Sequence, residues 1–481
     1  MAAAGPGDIV KQDETDPKNK NDDRDDRDYG NYDEAFYPLE ISPKALCTWA
    51  TSVRNRLIQS NEMNEQNNAP VECIKVLAAM SGSYNDVFPL LFSDNVCWAL
   101  KVPQSAAQGT FDASAAHSLT SEAHTLLVLE KQTTIPVPHV YSVQPDPDNE
   151  LQCPYILTNF INGKPLSEVW FDRSVPEDVL EKRRIQALQD LAQAMIQLGK
   201  FTFSQSGCPE FDSRGTISGV GPLRTWDIAA SLLAQGIEDM EDYEDGADVM
   251  RDLGPFNNPT SYILSLFNRR KPPLDRFGRG IYKLLRLFIE WLSELDEYEN
   301  GGFVLSHPDL GLQNILVAED GKISGIIDWE GVAVVPKCLG NLRYPSFLTK
   351  GWEPAAYGYI PSGTAKNYKS QNSPGELQRF REAYCEMIGN LLGSTDAVGT
   401  KWTRRSLMIE NLKIAADDPG STNEIIERVF EGIKQSATQS LGIDEEDLRL
   451  SDIANQLAEG SIDEGTLEVI GSGFLHLCDS V

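Results

Sequence analysis

FVLSHPDLGLQNILVAEDGKISGIIDWE, residues 303–330, is a β-like island in a second half that otherwise reads as helical. The strand Asn-Ile-Leu-Val, the turn Ala-Glu-Asp-Gly and the strand Lys-Ile-Ser-Gly-Ile-Ile-Asp make a hairpin with polar residues at both ends. Asp309 and Asn314 stand five positions apart on the loop entering the first strand, and Asp328 ends the second, nineteen residues beyond Asp309. Phosphoryl transfer to a hydroxyl needs a carboxylate beside the nucleophile and an oxygen ligand for the metal that clamps the phosphates. Asp309 suits the first task, while Asn314 and Asp328 can share a magnesium ion, which favours hard oxygen donors. Taken singly, each residue is equally well explained as a turn, a strand cap or a loop acid. In this order the set points to phosphoryl chemistry.

Outward from the island, the chain divides by texture. Residues 1–38 include DETDPKNKNDDRDDRDYGNYDE, a polar run without aliphatic residues, and are expected to be a disordered acidic tail. Ser42 and Pro43 then supply the cap and first turn of a helix through ALCTWATSVRNRLIQS. The β-type runs VECIKVLAAM, VFPLLF and VCWALKV follow, then the helical LTSEAHTLLVLEKQT, then the strands VPHVYSV and PYILTNF. Residues 39–160 are therefore expected to form a small five-stranded antiparallel α+β lobe. Residues 161–395 form a larger, mainly helical lobe, seen in VLEKRRIQALQDLAQAMIQLG and IYKLLRLFIEWLSEL, and 396–481 a helical acidic extension.

A net charge of −30 argues against a phosphate-backbone partner, which requires clustered Lys and Arg, and suits cationic or neutral small molecules. The eight cysteines are scattered without a C-x-x-C pair, so neither a zinc site nor a disulfide framework is expected. No basic-then-apolar leader and no membrane-length apolar run is present, which predicts a soluble, cytoplasmic protein with no membrane partner. Oligomeric state stays open. There is no G-x-x-x-x-G-K-[ST], no complete dinucleotide fingerprint and no G-x-S-x-G. The acidic stretch 236–252 reads as a solvated face, or else as an attractor for a cationic acceptor.

His307-x-Asp309-x-x-x-x-Asn314 followed by Ile326-Ile327-Asp328-Trp329-Glu330 resembles the aminoglycoside phosphotransferase and choline kinase-like family, relatives of the protein kinases. The likeness is to its large fungal members and spans roughly residues 69–395. Trp329-Glu330 in place of Phe-Gly, and Pro308 before Asp309, set the chain with the small-molecule branch.

The resemblance implies a bilobal kinase-like fold, ATP and Mg2+, and a small-molecule hydroxyl acceptor. It implies that Lys101 binds the α- and β-phosphates with Glu122 as its ion-pair partner, and that His307 supports the loop of Asp309. It implies that the 82–86 loop, through Ser83 and Tyr84, covers the phosphates, and that adenine meets the backbone of Asn159, Phe160 and Ile161. Without the resemblance, Lys101 is a strand-edge charge, Glu122 a first-turn acid and the 82–86 loop a hairpin turn. A kinase-like protein that binds nucleotide or a partner without catalysis is the alternative of another class. A protein kinase ranks third, since no Asp-Phe-Gly to Ala-Pro-Glu segment follows Asp328.

Overall fold

The computed structural model describes residues 42–60, 70–107, 109–226, 250–296, 298–352, 357–359, 371–393, 397–441 and 448–480. The tail expected over 1–38 and nearly all of the acidic 236–252 stretch lie outside the described residues.

Strands β1 (Cys73–Val76), β2 (Met80–Ser81), β3 (Asn85–Phe92), β4 (Cys97–Pro103), β5 (Val140–Gln144) and β6 (Tyr155–Asn159) form one antiparallel sheet. Both β1 and β2 pair with β3, Val76 opposite Leu90 and Met80 opposite Val87. The stretch VECIKVLAAM is thus one interrupted row, and the sheet has five rows in the order β1/β2-β3-β4-β6-β5.

Alternation assigns the two faces of this sheet. Trp98, Leu100 and Val102 of β4 are fully buried on one face, leaving Cys97, Ala99 and Lys101 on the other. The first face is covered by the Pro43–Gln59 helix, whose N-cap Ser42 accepts from the Ala45 amide at 3.3 Å and whose Leu46, Trp49 and Val53 enter a core with Leu90, Phe92 and Trp98. Arg54 of this helix is itself buried, over the Phe92 ring at 4.5 Å, and donates to Asp94 at 2.9 Å.

Lys101 lies opposite Val87 on one side and Ile156 on the other, at the middle of the second face. The helix on this side begins at Ala113, six residues before the apolar spacing suggested. Asp112 accepts from the Ala115 amide at 2.7 Å, and the alanine-rich stretch has the propensity to extend the helix to that cap.

In the large lobe, the strand Ile315–Val317 pairs with Ile323–Ile326 as the expected hairpin, and its other edge takes Lys164–Pro165 from the interlobe connector. The strand Phe303–Ser306 pairs with Ala333–Pro336, so two short sheets set the loops on either side of the hairpin. Gly325 allows the connector to sit close, because a Cβ there would lie 2.6 Å from Ile161 Cδ1.

The C-terminal helices Ala397–Asp417, Pro419–Leu441, Leu450–Glu459 and Glu464–Ser480 share the large lobe's hydrophobic core. Rather than an appended extension, residues 397–441 and 448–480 complete that core. Gly280 of the Arg276–Trp291 helix abuts Ala454 so closely that a Cβ would lie 1.9 Å from the Ala454 carbonyl oxygen. Phe288 stacks on Phe474 with ring centroids 4.8 Å apart.

Phe474→Ala should therefore destabilise the large lobe by about 3–5 kcal/mol. Scanning calorimetry should show the lobe's transition moving to lower temperature. An unchanged main transition with a separate early one would mean that the last helices fold independently.

Candidate active site

Between the lobes lies a cleft of about 600 Å³, lined by Ala99, Lys101 and Glu122 from the small lobe and by Asp309, Asn314 and Asp328 from the large one. Ser83, Tyr84, Asn159, Phe160 and Ile161 also line it. His307 is not on the wall but directly behind it.

Lys101 organises the cleft. Its ammonium meets both Glu122 oxygens at 2.9 Å, Asp328 Oδ1 at 3.1 Å and Glu330 Oε2 at 3.5 Å. Burial pulls the Lys101 pKa down, but Glu122, Glu330 and Asp328 outweigh it and hold the value above that of an ordinary lysine. Burial, helped by Glu330 and Asp328, raises the Glu122 carboxyl against the opposing pull of Lys101. Asp328 takes up a left-handed backbone with φ +62°, a conformation that Asp tolerates better than most residues.

Asp309 is exposed to the cleft and held from one side. Its Oδ2 accepts from Gln313 Nε2 at 2.8 Å and Asn314 Nδ2 at 3.0 Å, leaving Oδ1 without a partner among the described residues. The Asn314 amide nitrogen also bonds the Asp309 carbonyl at 2.9 Å, closing the loop on itself.

His307 is buried with both ring nitrogens engaged. Its Nδ1 accepts the Asp309 amide at 3.2 Å, so Nε2 carries the hydrogen and donates to the Ile327 carbonyl at 2.9 Å. Burial drives the pKa down to about 4, with the Ile327 bond opposing and Arg343 assisting. A neutral imidazole so fixed is a positioning group, joining the Asp309 loop to the strand that ends in Asp328. Arg343 clamps the same loop, donating to the His307 carbonyl at 2.6 Å.

The 82–86 loop is a tight turn in which the Gly82 amide donates to the Asn85 carbonyl at 2.8 Å. Asn85 reaches across the cleft to bond Glu330. At the connector, the Asn159 and Phe160 amides are spent on His139 and Cys97 carbonyls, at 3.1 and 2.9 Å, while the Ile161 amide has no partner among the described residues.

Three residues escaped the sequence reading. Glu330 sits in the quoted motif two positions past Asp328, and its side chain reaches the same Lys101 ammonium. Gln313 has the weaker signal of neighbouring Asn314. Arg343 has none, lying in a loop whose only cue is its place in three dimensions.

For a divalent cation the donors fit in kind: one carboxylate from Asp328 and one amide side chain from Asn314 leave positions for phosphate and water oxygens, the habit of magnesium. No group of three or more His, Cys, Asp or Glu among the described residues is placed to hold a metal alone.

Residues 78–336, more than half of the chain, match the profile of the phosphotransferase enzyme family. The chain belongs to that family. Every cleft residue named above falls inside the match, whereas the C-terminal helices lie beyond it. The chain's described residues form a two-lobed α+β architecture, a lobe built on one antiparallel sheet and a larger, mainly helical one.

Among curated proteins, a subtelomeric hrmA-associated cluster protein of Aspergillus fumigatus is 23% identical over 323 residues, covering 57% of this chain and 60% of the relative. The mitochondrial protein named altered inheritance of mitochondria protein 9, from Candida albicans, is 25% identical over 235 residues, 49% of this chain and 31% of that one. The chain thus spans 60% or less of the length of these two relatives. Among solved structures, an ethanolamine kinase of Plasmodium vivax aligns over 90% of this chain and 93% of its own at 12% identity, TM-score 0.39. A macrolide 2'-phosphotransferase of Brachybacterium faecium aligns over 86% and 100% at 11% identity, TM-score 0.34. No described helix of this phosphotransferase-family chain is long and apolar enough to cross a membrane.

The neutral, buried His307 ties stability to pH. Its folded pKa lies below the ordinary 6.5, so the contribution is complete above that pH and is lost as pH falls from 6.5 toward 4, where the unfolded chain takes up the proton. The full shift corresponds to roughly 3 kcal/mol. Urea midpoints measured across this window should fall steeply for the native chain, and His307→Gln should flatten the slope by about one proton. An equal slope in the variant would remove His307 as its source.

Proposed function

We propose that this protein transfers the γ-phosphoryl group of ATP, with magnesium, to a hydroxyl of a small molecule. The observation that carries this reading is the Lys101 ammonium, bonded to Glu122 and Asp328 in the same cleft as Asp309 and Asn314. Lys101 would bind the α- and β-phosphates, exchanging its contact with Asp328 for phosphate oxygens while Glu122 keeps it oriented. Asn314 and Asp328 would hold magnesium, which offsets the charge of the phosphates.

The free Oδ1 of Asp309 would accept the hydrogen of the acceptor hydroxyl, aligning its oxygen with the γ-phosphorus. As the new P–O bond forms, ADP departs and the proton passes to Asp309. Gln313 and Asn314 keep that carboxylate from turning away. The backbone of Ser83 and Tyr84 would cover the phosphates, and adenine would use the free Ile161 amide with a neighbouring carbonyl of Asn159 or Phe160.

A net charge of −30 favours a cationic acceptor and disfavours nucleic acid. The eight free, mostly buried cysteines fit a reducing compartment such as the cytoplasm.

Asp309→Asn should leave magnesium-dependent ATP binding by calorimetry within a few-fold of the native chain while transfer drops by about 10²–10⁴-fold. Lys101→Ala should weaken nucleotide binding itself at least about tenfold, close to 1.4 kcal/mol. Acceptors should be sought by ATP consumption over amino alcohols, aminoglycosides and sugars. ATP binding with no turnover across that panel would support the non-catalytic reading instead.

A further inference from the structure

Away from the interlobe cleft, the large lobe holds a second cavity of about 380 Å³. It lies at the far ends of the two strands that carry the Asp309 and Asp328 loops: Gly301 and Gly302 precede Phe303–Ser306, and Lys337 follows Ala333–Pro336. The walls are apolar where Ile196, Leu342 and Trp402 meet.

Two of the lining residues carry a buried polar atom without a hydrogen-bond partner, Asn341 Oδ1 and the Tyr298 hydroxyl, each lying beneath the wall with almost no accessible surface of its own. Their residues are 5% and 3% exposed, so each uncompensated atom costs about 1–3 kcal/mol. Burial holds the Tyr298 phenol well above its ordinary pKa, so it remains a donor.

The charge on this wall runs opposite to that of the chain. With 72 acidic against 42 basic side chains in the sequence, the cavity has no carboxylate among its described lining residues, but does have Lys200 and Lys337. Neither lysine has an ion-pair partner among the described residues. By contrast, the interlobe cleft is lined by Glu122, Asp309 and Asp328.

We propose that this cavity is a binding site for a small organic anion: a carboxylate or phosphate group held by Lys200 and Lys337, and a ring-sized apolar body against Trp402. Such a ligand supplies the counter-charge that both lysines lack among the described residues. The segment it would touch also supports the catalytic loop, because Arg343, two residues past Asn341, bonds the His307 carbonyl.

Isothermal titration calorimetry on the full chain tests the site with three probes: 4-hydroxybenzoate, phenyl phosphate and the neutral 4-hydroxybenzyl alcohol. At least one anion should bind with a dissociation constant below about 1 mM and at least tenfold tighter than the alcohol. The exposed Lys200→Glu, and the double Lys200→Glu/Lys337→Glu, should weaken that anion at least about tenfold while leaving magnesium-dependent ATP binding unchanged. If the double variant fails to fold, the single one decides. Comparison of the two anions separates a carboxylate from a phosphate ligand. Failure of both to bind, equal binding of the neutral alcohol, or binding unaffected by the lysine substitutions would each overturn the proposal.

Discussion

A lysine ammonium drawn out of water has to be surrounded by charge of the opposite sign, and the cleft is arranged around that requirement at Lys101. Its side chain is 15% exposed and reaches three carboxylates delivered by two separate parts of the fold. Strand β4 sets Lys101 on the cleft face, the Ala113–Gln132 helix brings Glu122 from 21 residues away, and the hairpin brings Asp328 from 227. Of the three only Glu122 is itself buried, and leaving it beside a neutral residue would cost more than the pair contributes, while the half-exposed Asp328 and Glu330 reach the same ammonium from the large lobe. The excess of negative charge around that one ammonium makes the cleft attractive to cations.

The large lobe holds the other half of the cleft by a different means. Here the decisive group is neutral: His307, locked between the Asp309 amide and the Ile327 carbonyl, joins loop to strand without charge. Arg343 fixes the outside of that loop and also approaches Glu410 at 3.7 Å, on the Ala397–Asp417 helix. The neighbouring Tyr344 amide donates to Ser406 of the same helix at 3.1 Å. Helices beyond the family match thereby buttress the loop that carries Asp309, and they do so from within a shared hydrophobic core.

Two cavities of opposite sign result from this arrangement. The interlobe cleft concentrates acids beside one lysine. The second cavity, at the back of the same strands, sets Lys200 and Lys337 in a largely apolar wall with no carboxylate among its described lining residues. Short strands with a different loop at each end make both possible, because each loop closes a different cavity.

What the sequence determined was local. Period-two alternation placed Lys101 on the face away from Trp98 and Leu100, and the hairpin pattern set Asp309, Asn314 and Asp328 at its two ends. Capping residues announced the first helix at Ser42 and Pro43, but at Asp112 the weak apolar spacing of an alanine-rich turn hid the start of the next. Tertiary structure alone decided that Glu330 joins Lys101 and Asn85, that Gln313 steadies Asp309, and that the Ile161 amide, unlike those of Asn159 and Phe160, has no partner among the described residues. It also merged the acidic C-terminal helices into the large lobe through Gly280 against Ala454 and Phe288 against Phe474. The reason is one of range. A strand or helix period records which way a side chain faces, but contacts across 174 residues at Gly280 or 227 at Lys101 leave no mark in the neighbouring sequence.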